Sequence, residues 1–209
     1  MQTKTVNRRT EQREVRLAMK PWQRSVKRVL DILCALVGLI FLSPIFLAAY
    51  IALKMQGDGP VIFSQERIGR DGKPFRIFKF RTMHTDAEAD GPQLYTEGDD
   101  RLTKVGAFLR NHHIDELPQF WNVLIGDMSM VGYRPERQYF IDQIMEQDSR
   151  YRYLFQMRPG VTSEATLYNG YTDTMEKMLE RLNMDLRYME TASLRKDILI
   201  MLKTFGVMA

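Results

Sequence analysis

One cysteine, Cys34, stands alone in 209 residues, which rules out an intramolecular disulfide and fits a reducing compartment. Charge is missing altogether from Ile32 to Leu53, a run of 22 residues. As a helix this run would reach ~33 Å, about the thickness of a bilayer's hydrocarbon core. It is too long for a signal peptide, and no small-x-small cleavage pattern follows it. No internal repeat and no low-complexity segment is present. Acidic residues are scarce at the start. Residues 1–28 carry nine Lys/Arg against Glu11 and Glu14, a net of +7, whereas positions 29–209 hold 21 basic and 24 acidic residues, a net of −3. The larger part of the chain is therefore no polyanion-binding domain, and nucleic acid is not expected as a partner. The basic tail, with Trp22 as its only aromatic, leads straight into the apolar run, where anionic headgroups attract each cation by ~1 kcal/mol.

Ser43-Pro44 sits near the middle of that run. Pro44 has no N–H for the carbonyl of Ile40 and its ring clashes with that turn, so a helix should kink there. Two topologies fit: a transmembrane helix with a proline kink, or a re-entrant hairpin that enters and leaves on one side. Charge favours the hairpin. Both flanks are basic, the second through Lys54, Arg67, Arg70, Lys73, Arg76, Lys79 and Arg81, and short basic flanks stay cytoplasmic. The expected organisation is a basic membrane-surface tail (1–28), a broken membrane helix (29–54) and a cytosolic domain (55–209), of α/β class and mostly helical.

Within that domain, Val61–Phe63 and Phe75–Thr82, joined across Asp71-Gly72, predict a β-hairpin whose second strand presents Arg76, Lys79 and Arg81. Residues 84–100 predict an acidic surface loop. Helices are expected over 102–111, 116–124 (burying Leu117, Phe120, Trp121 and Leu124), 136–155, 173–191 and 193–204. The last carries a stripe of Leu194, Ile198, Met201 and Leu202, suited to core or to a membrane surface, with core the favoured reading.

Asp115-Glu116 is the first candidate for chemistry. Adjacent acids at a helix start commonly serve only to satisfy orphan N–H groups. Here, however, Arg110 precedes them, and a glycine-bounded loop, Gly126 to Pro135, delivers Arg134 against a rigid proline. Arg158-Pro159-Gly160 repeats the pattern. A guanidinium suits phosphate oxygens. A diphosphate needs its charge neutralised by cations and by Mg²⁺ bridging a carboxylate, and a carboxylate can itself attack phosphorus. His112 and His113 point about 100° apart on a helix and do not suit one metal ion. The fourteen methionines read as core and lipid-facing filler.

The chain resembles the monotopic phosphoglycosyl transferases, bacterial sugar transferases that act on polyprenol phosphate. The residues that carry the resemblance are Lys27-Arg28-x-x-Asp31, Ser43-Pro44, Phe78 to Met83, Asp115-Glu116-Leu117-Pro118-Gln119-x-Trp121-Asn122-Val123-Leu124, Gly126 to Ser129, Arg134-Pro135 and Arg158 to Thr162. They run in family order, and the chain is similar to the small members without a multi-span N-terminal domain.

The resemblance implies a re-entrant helix and a catalytic domain on the cytoplasmic face of the bacterial inner membrane. It implies Asp115 as nucleophile toward a UDP-sugar, with release of UMP, and polyprenol phosphate as acceptor. It implies Glu116 as the acid associated with Mg²⁺, Arg134 as a phosphate ligand, and Lys79, Arg110 and Arg158 as further substrate contacts. Direct transfer in a ternary complex, a catalytically silent adaptor of the same fold, and a homodimer all stay open. The chain departs from the family twice: at Tyr133, where a Gly-Pro-Arg-Pro run is usual, and at Ser163–Leu167, where Thr162 is usually followed by Gly-x-x-Gln-Val.

Overall fold

The computed structural model of the chain describes residues 15–57, 59–89, 91–96, 98–169 and 172–208. Most of the basic tail, residues 1–14, lies outside them. Residues 15–19 pack on the domain. Val15 and Met19 are buried, Ala18 N donates to the Met189 carbonyl at 3.0 Å, and Gln156 Nε2 donates to the Val15 carbonyl at 3.0 Å.

Helix α1 (Pro21–Phe41) begins eight residues before the expected membrane segment. Pro21 fits its first turn, where no intrahelical N–H is needed. Helix α2 (Ser43–Gln56) follows after Leu42, and the two are bent by 60°. Among the described residues no single helix is long and apolar enough to cross a membrane; the bent pair together meets that length and composition. The expected break has a local cause. Ser43 Oγ donates to the Ile40 carbonyl at 2.7 Å, the acceptor that Pro44 leaves without its helical donor. Trp22, Val26, Val29, Leu33, Val37 and Ile40 form an exposed apolar stripe along α1, while Asp31 and Ala35 on the other face are buried. A Cβ on Gly38 would come within 2.5 Å of the Phe120 ring, so glycine lets α1 lie close on the helix that carries Phe120.

Strands β1 (Ile62–Ile68) and β2 (Pro74–Phe80) form the expected antiparallel hairpin, closed by a turn in which Asp71 is left-handed. Lys79 and Arg81 share a parity, and Arg81 is buried with its guanidinium on the Gly57 carbonyl, not on a solvated face. Helix α3 (Lys104–Asn111) is capped by Thr103. Helix α4 (Gln119–Ile125) starts three residues later than expected and ends at left-handed Gly126. The later start changes its phase. Asn122 and Val123 face inward, and Trp121, expected in the core, is 54% exposed.

A short parallel pair, β3 (Ser129–Val131) with β4 (Gly160–Thr162), was not expected. The expected helix over 136–155 is two pieces: α5 (Gln138–Gln147) and a 3₁₀ stretch, Ser149–Gln156, that Asp148 caps. Helices α6 (Glu164–Tyr168), α7 (Met175–Thr191) and α8 (Leu194–Met208) complete the chain. The stripe expected on α8 is rotated. Asp197 and Ile200 are buried, whereas Ile198 and Leu202 are exposed. Asp197 pulls that face inward because it accepts from Lys27 Nζ at 2.6 Å and from Tyr188 Oη at 2.5 Å.

Candidate active site

The chain reverses sharply before Asp115. Helix α3 ends at His112, and His113 takes a left-handed conformation (φ 53°) that costs a non-glycine residue about 1 kcal/mol. A 3₁₀ turn, Ile114–Glu116, follows and leads through Pro118 into α4. The acids therefore sit in a turn ahead of the helix. This tucks Asp115 inward, to 4% exposure, and Asp115 Oδ1 has no hydrogen-bond partner. An unpaired buried carboxylate oxygen is costly. Here it borders a cavity of about 600 Å³.

Glu116 is tied down. Its Oε1 accepts from Lys79 Nζ at 2.6 Å and from Arg134 Nη2 at 3.2 Å. Burial pushes both carboxyls upward. For Asp115 burial wins, helped by the negative Glu116, against Lys79, Arg110 and Arg134. For Glu116 the direct contacts of Lys79 and Arg134 override burial and hold it well below the usual carboxylate range. Burial lowers Lys79, with Glu116 opposing, and Glu116 raises Arg134.

Three supports set this geometry. Asn122 Oδ1 accepts from Phe78 N at 3.0 Å and its Nδ2 donates to the Arg76 carbonyl at 2.7 Å, clamping α4 to the strand that carries Lys79. Tyr133, the first departure, is fully buried with its hydroxyl on the Ile68 carbonyl at 3.4 Å, anchoring the loop that delivers Arg134. Asp31 on α1 accepts from Ser129 Oγ at 2.8 Å and Met130 N at 3.0 Å, while Arg28 donates to the carbonyls of Val123 and Leu124 at 2.6 and 2.9 Å. The first helix is thus pinned to α4, which follows the acid pair, and to β3, which leads into the loop of Arg134.

Of the residues expected at the site, Asp115, Glu116, Lys79, Arg110 and Arg134 line one cavity. Arg110 stacks 3.6 Å from the Tyr95 ring centroid. Arg158 does not join them. Its Nε donates to the Gly126 carbonyl at 2.7 Å, and it lines a separate pocket beside α1. Sequence reasoning missed a second network. Glu136 accepts from Arg67 Nη1 at 3.1 Å and from Arg181, and Arg181 also donates to Thr172. Asp185, one turn along α7, is buried, and its Oδ1 has no hydrogen-bond partner. The available signal was two charges, Arg181 and Asp185, set among Met178, Leu182, Leu186 and Met189 on the buried face of α7.

The cavity walls carry eight Lys/Arg and four Asp/Glu, which suits a ligand of several negative charges. Ala165 and Thr166, from the second departure, also line it. Among the described residues no group of three or more His, Cys, Asp or Glu is placed to hold a metal ion. Mg²⁺ needs only one or two carboxylates when phosphates and water supply its other ligands, so the Asp115-Glu116 pair fits a metal brought in with a diphosphate.

A family model described as bacterial sugar transferase matches residues 22–209. The chain is 40% identical over 188 residues to the UDP-N-acetylgalactosamine-undecaprenyl-phosphate N-acetylgalactosaminephosphotransferase of Aeromonas hydrophila, covering 90% of this chain and 44% of that protein. It is 43% identical over 182 residues to the UDP-glucose:undecaprenyl-phosphate glucose-1-phosphate transferase of Caulobacter vibrioides, covering 85% and 67%. The protein of the same name in Escherichia coli is 41% identical over 183 residues, covering 87% and 39%. The chain thus spans less than half of the first and third of these relatives.

Proposed function

The chain belongs to the bacterial sugar transferase family, and from that premise we propose that it moves a sugar 1-phosphate from a UDP-sugar to undecaprenyl phosphate, releasing UMP through a phosphosugar ester on Asp115. One observation carries this reading: a buried carboxylate with an unpaired oxygen faces a basic cavity, while its neighbour is held ionised by Lys79 and Arg134. The relatives' names supply the acceptor. They divide between N-acetylgalactosamine and glucose donors, so the proposal is the UDP-sugar class.

In the first step an Asp115 oxygen attacks the sugar-bearing phosphorus. The bond from that phosphorus to the bridging oxygen breaks, and the oxygen leaves with its electron pair on UMP. In the second, a phosphate oxygen of undecaprenyl phosphate attacks the same phosphorus, and Asp115 departs as a free carboxylate. Arg134 binds equatorial phosphate oxygens, and Lys79 holds Glu116 ionised and placed. Glu116 would hold Mg²⁺, which when bound offsets diphosphate charge. The α1–α2 pair would dip into the cytoplasmic leaflet and return, leaving the catalytic domain at headgroup depth, where the acceptor's phosphate lies.

The test is UMP release from a panel of UDP-sugars with undecaprenyl phosphate and Mg²⁺, with an EDTA arm for the metal. Donor alone should add a phosphosugar mass to the peptide holding Asp115. Asp115→Asn should lose both that adduct and turnover, by about a thousandfold or more. A fully active Asn variant would sink the covalent route.

A further inference from the structure

Arg110 is held unlike most other cations of the catalytic cavity. Lys79 and Arg134 donate to Glu116, Arg67 and Arg181 to Glu136, and Arg137 to Glu88. Each of these must loosen or share a carboxylate before it takes an outside anion. Arg110, in the last turn of α3, meets a ring instead: its Cζ lies 3.6 Å from the centroid of Tyr95. At that distance the planar guanidinium stacks on the face of the phenol. A face contact uses the π surface and leaves the N–H donors, which lie in the guanidinium plane, available to acceptors at its edge. Arg110 is also close enough to Asp115 for its charge to oppose the upward pull of burial on that carboxyl. The stack therefore stands beside the acid proposed to react.

Tyr95 is itself fixed. Arg101 Nη2 donates to the carbonyl of Leu94, the residue before it, at 3.0 Å, and Arg101 Nη1 to the Ala87 carbonyl at 3.4 Å. Asp99 in turn holds Arg101 through Nε at 2.8 Å. Glu88 ties the same stretch to Arg137 at 2.7 Å and to Gln65 at 3.2 Å. The run that reads in sequence as an acidic surface loop thus supplies a wall of the cavity, with Leu94 and Tyr95 on the lining beside Arg110. A free arginine side chain loses rotamer freedom when it binds; one already stacked in place has less to lose. We propose that Tyr95 is a positioning residue, and that its ring presents the edge of Arg110 to the phosphates of the UDP-sugar. The inference deepens the reading above and rests on its donor, not on the covalent step at Asp115.

The test measures UDP binding to the full chain in neutral detergent with Mg²⁺, by titration calorimetry. Tyr95→Phe keeps the ring and should bind within about twofold of the wild type. Tyr95→Ala should bind about tenfold more weakly. Tyr95→Leu, which fills the space without a π face, should match it and covers an Ala variant that folds poorly. The double variant Tyr95→Ala/Arg110→Gln should bind no more weakly than Arg110→Gln alone, because a residue that acts through Arg110 has no effect once the guanidinium is gone. Additive losses, a Phe variant as weak as the Ala variant, or a Leu variant as strong as the wild type overturns the assignment. So does unchanged UDP affinity with a rise confined to the KM for undecaprenyl phosphate, which would give the Arg110 edge to the acceptor. UMP release by the wild type is assayed separately: a chain that binds UDP but releases no UMP fails the proposed reaction and leaves the Tyr95 result standing.

Discussion

Asp115 and Glu116 are neighbours in the chain and burial pushes both upward, yet only Asp115 ends raised, because Lys79 and Arg134 both reach Glu116. The pair is thereby split into a fixed anion and a carboxyl with a free oxygen. Arg134 depends on shape as much as charge for this. A lysine cannot hold Glu116 and present a fork to phosphate together, so Arg134→Lys should cut kcat/KM about 10- to 100-fold with little change in stability. An unchanged rate would reduce its role to charge.

Asp185, buried on α7, is pushed by burial up to about 7. Arg181 and the nearby Arg134 backbone oppose the rise; Glu136 and Glu164 add to it. The folded chain then holds this proton more tightly than the unfolded chain, whose carboxyl titrates near 3.9. The stabilisation is complete below the unfolded value and is lost as pH rises through about 7. Melting temperature should therefore drop between pH 5.5 and 8 by more in the wild type than in Asp185→Asn, and equal slopes would refute the assignment. The Asp115 site is legible in sequence because its acids are adjacent and Arg134 is locked beside a proline. Asp185 and Arg181 are not, since their partners come from distant segments and α7 otherwise reads as a plain amphipathic helix. Arg158 shows the opposite failure, a motif arginine whose spacing said nothing about which side of Gly126 it would face.

At the scale of elements, hydrophobic period and turn residues reveal the hairpin and most helices, and miss where a polar side chain overrides the pattern. Asp148 divides the 136–155 run by capping a new turn, Asn122 turns inward to bind β2, and Asp197 rotates α8. The α1–α2 break is legible because it has a covalent cause. Ser43 makes it tolerable by satisfying Ile40. Pro44→Ala would return an N–H to Ile40 and favour one straight helix of ~50 Å over residues 21–56. Gly38 against Phe120, and Arg28 on α4, still hold α1 to the domain, so straightening must pull α2 away from its packing on α3. Activity should fall several-fold while the soluble face of the domain keeps its circular dichroism. Wild-type activity in this variant would mean the bend does not set the height of the site.

The whole molecule joins an apolar bent pair to a domain through charged pins, Lys27 to Asp197, Arg28 to α4 and Asp31 to β3. These pins fix how the apolar pair is held against the domain. The stripe from Trp22 to Ile40 and the exposed side chains of α2, Ile45, Leu47 and Ile51, are apolar; in the proposed re-entrant geometry they face lipid together, and the start of α1 and the end of α2 leave on the same side. A straight span would carry either residues 1–20, with six Lys/Arg against two Glu, or the whole domain outward, against the preference of short basic flanks for the cytoplasm. With Cys34 replaced by Ser, single cysteines at Gln23 on α1 and at Arg70 in the hairpin turn should both be labelled in inverted vesicles and both be protected in intact cells. A cysteine at Leu42, in the bend, should be shielded from both sides if the proposed geometry holds it in the leaflet. Labelling of position 23 from outside intact cells would overturn the re-entrant geometry and require α1 and α2 to cross the bilayer, which in turn would place Lys79 and Asp115 on the face opposite the tail.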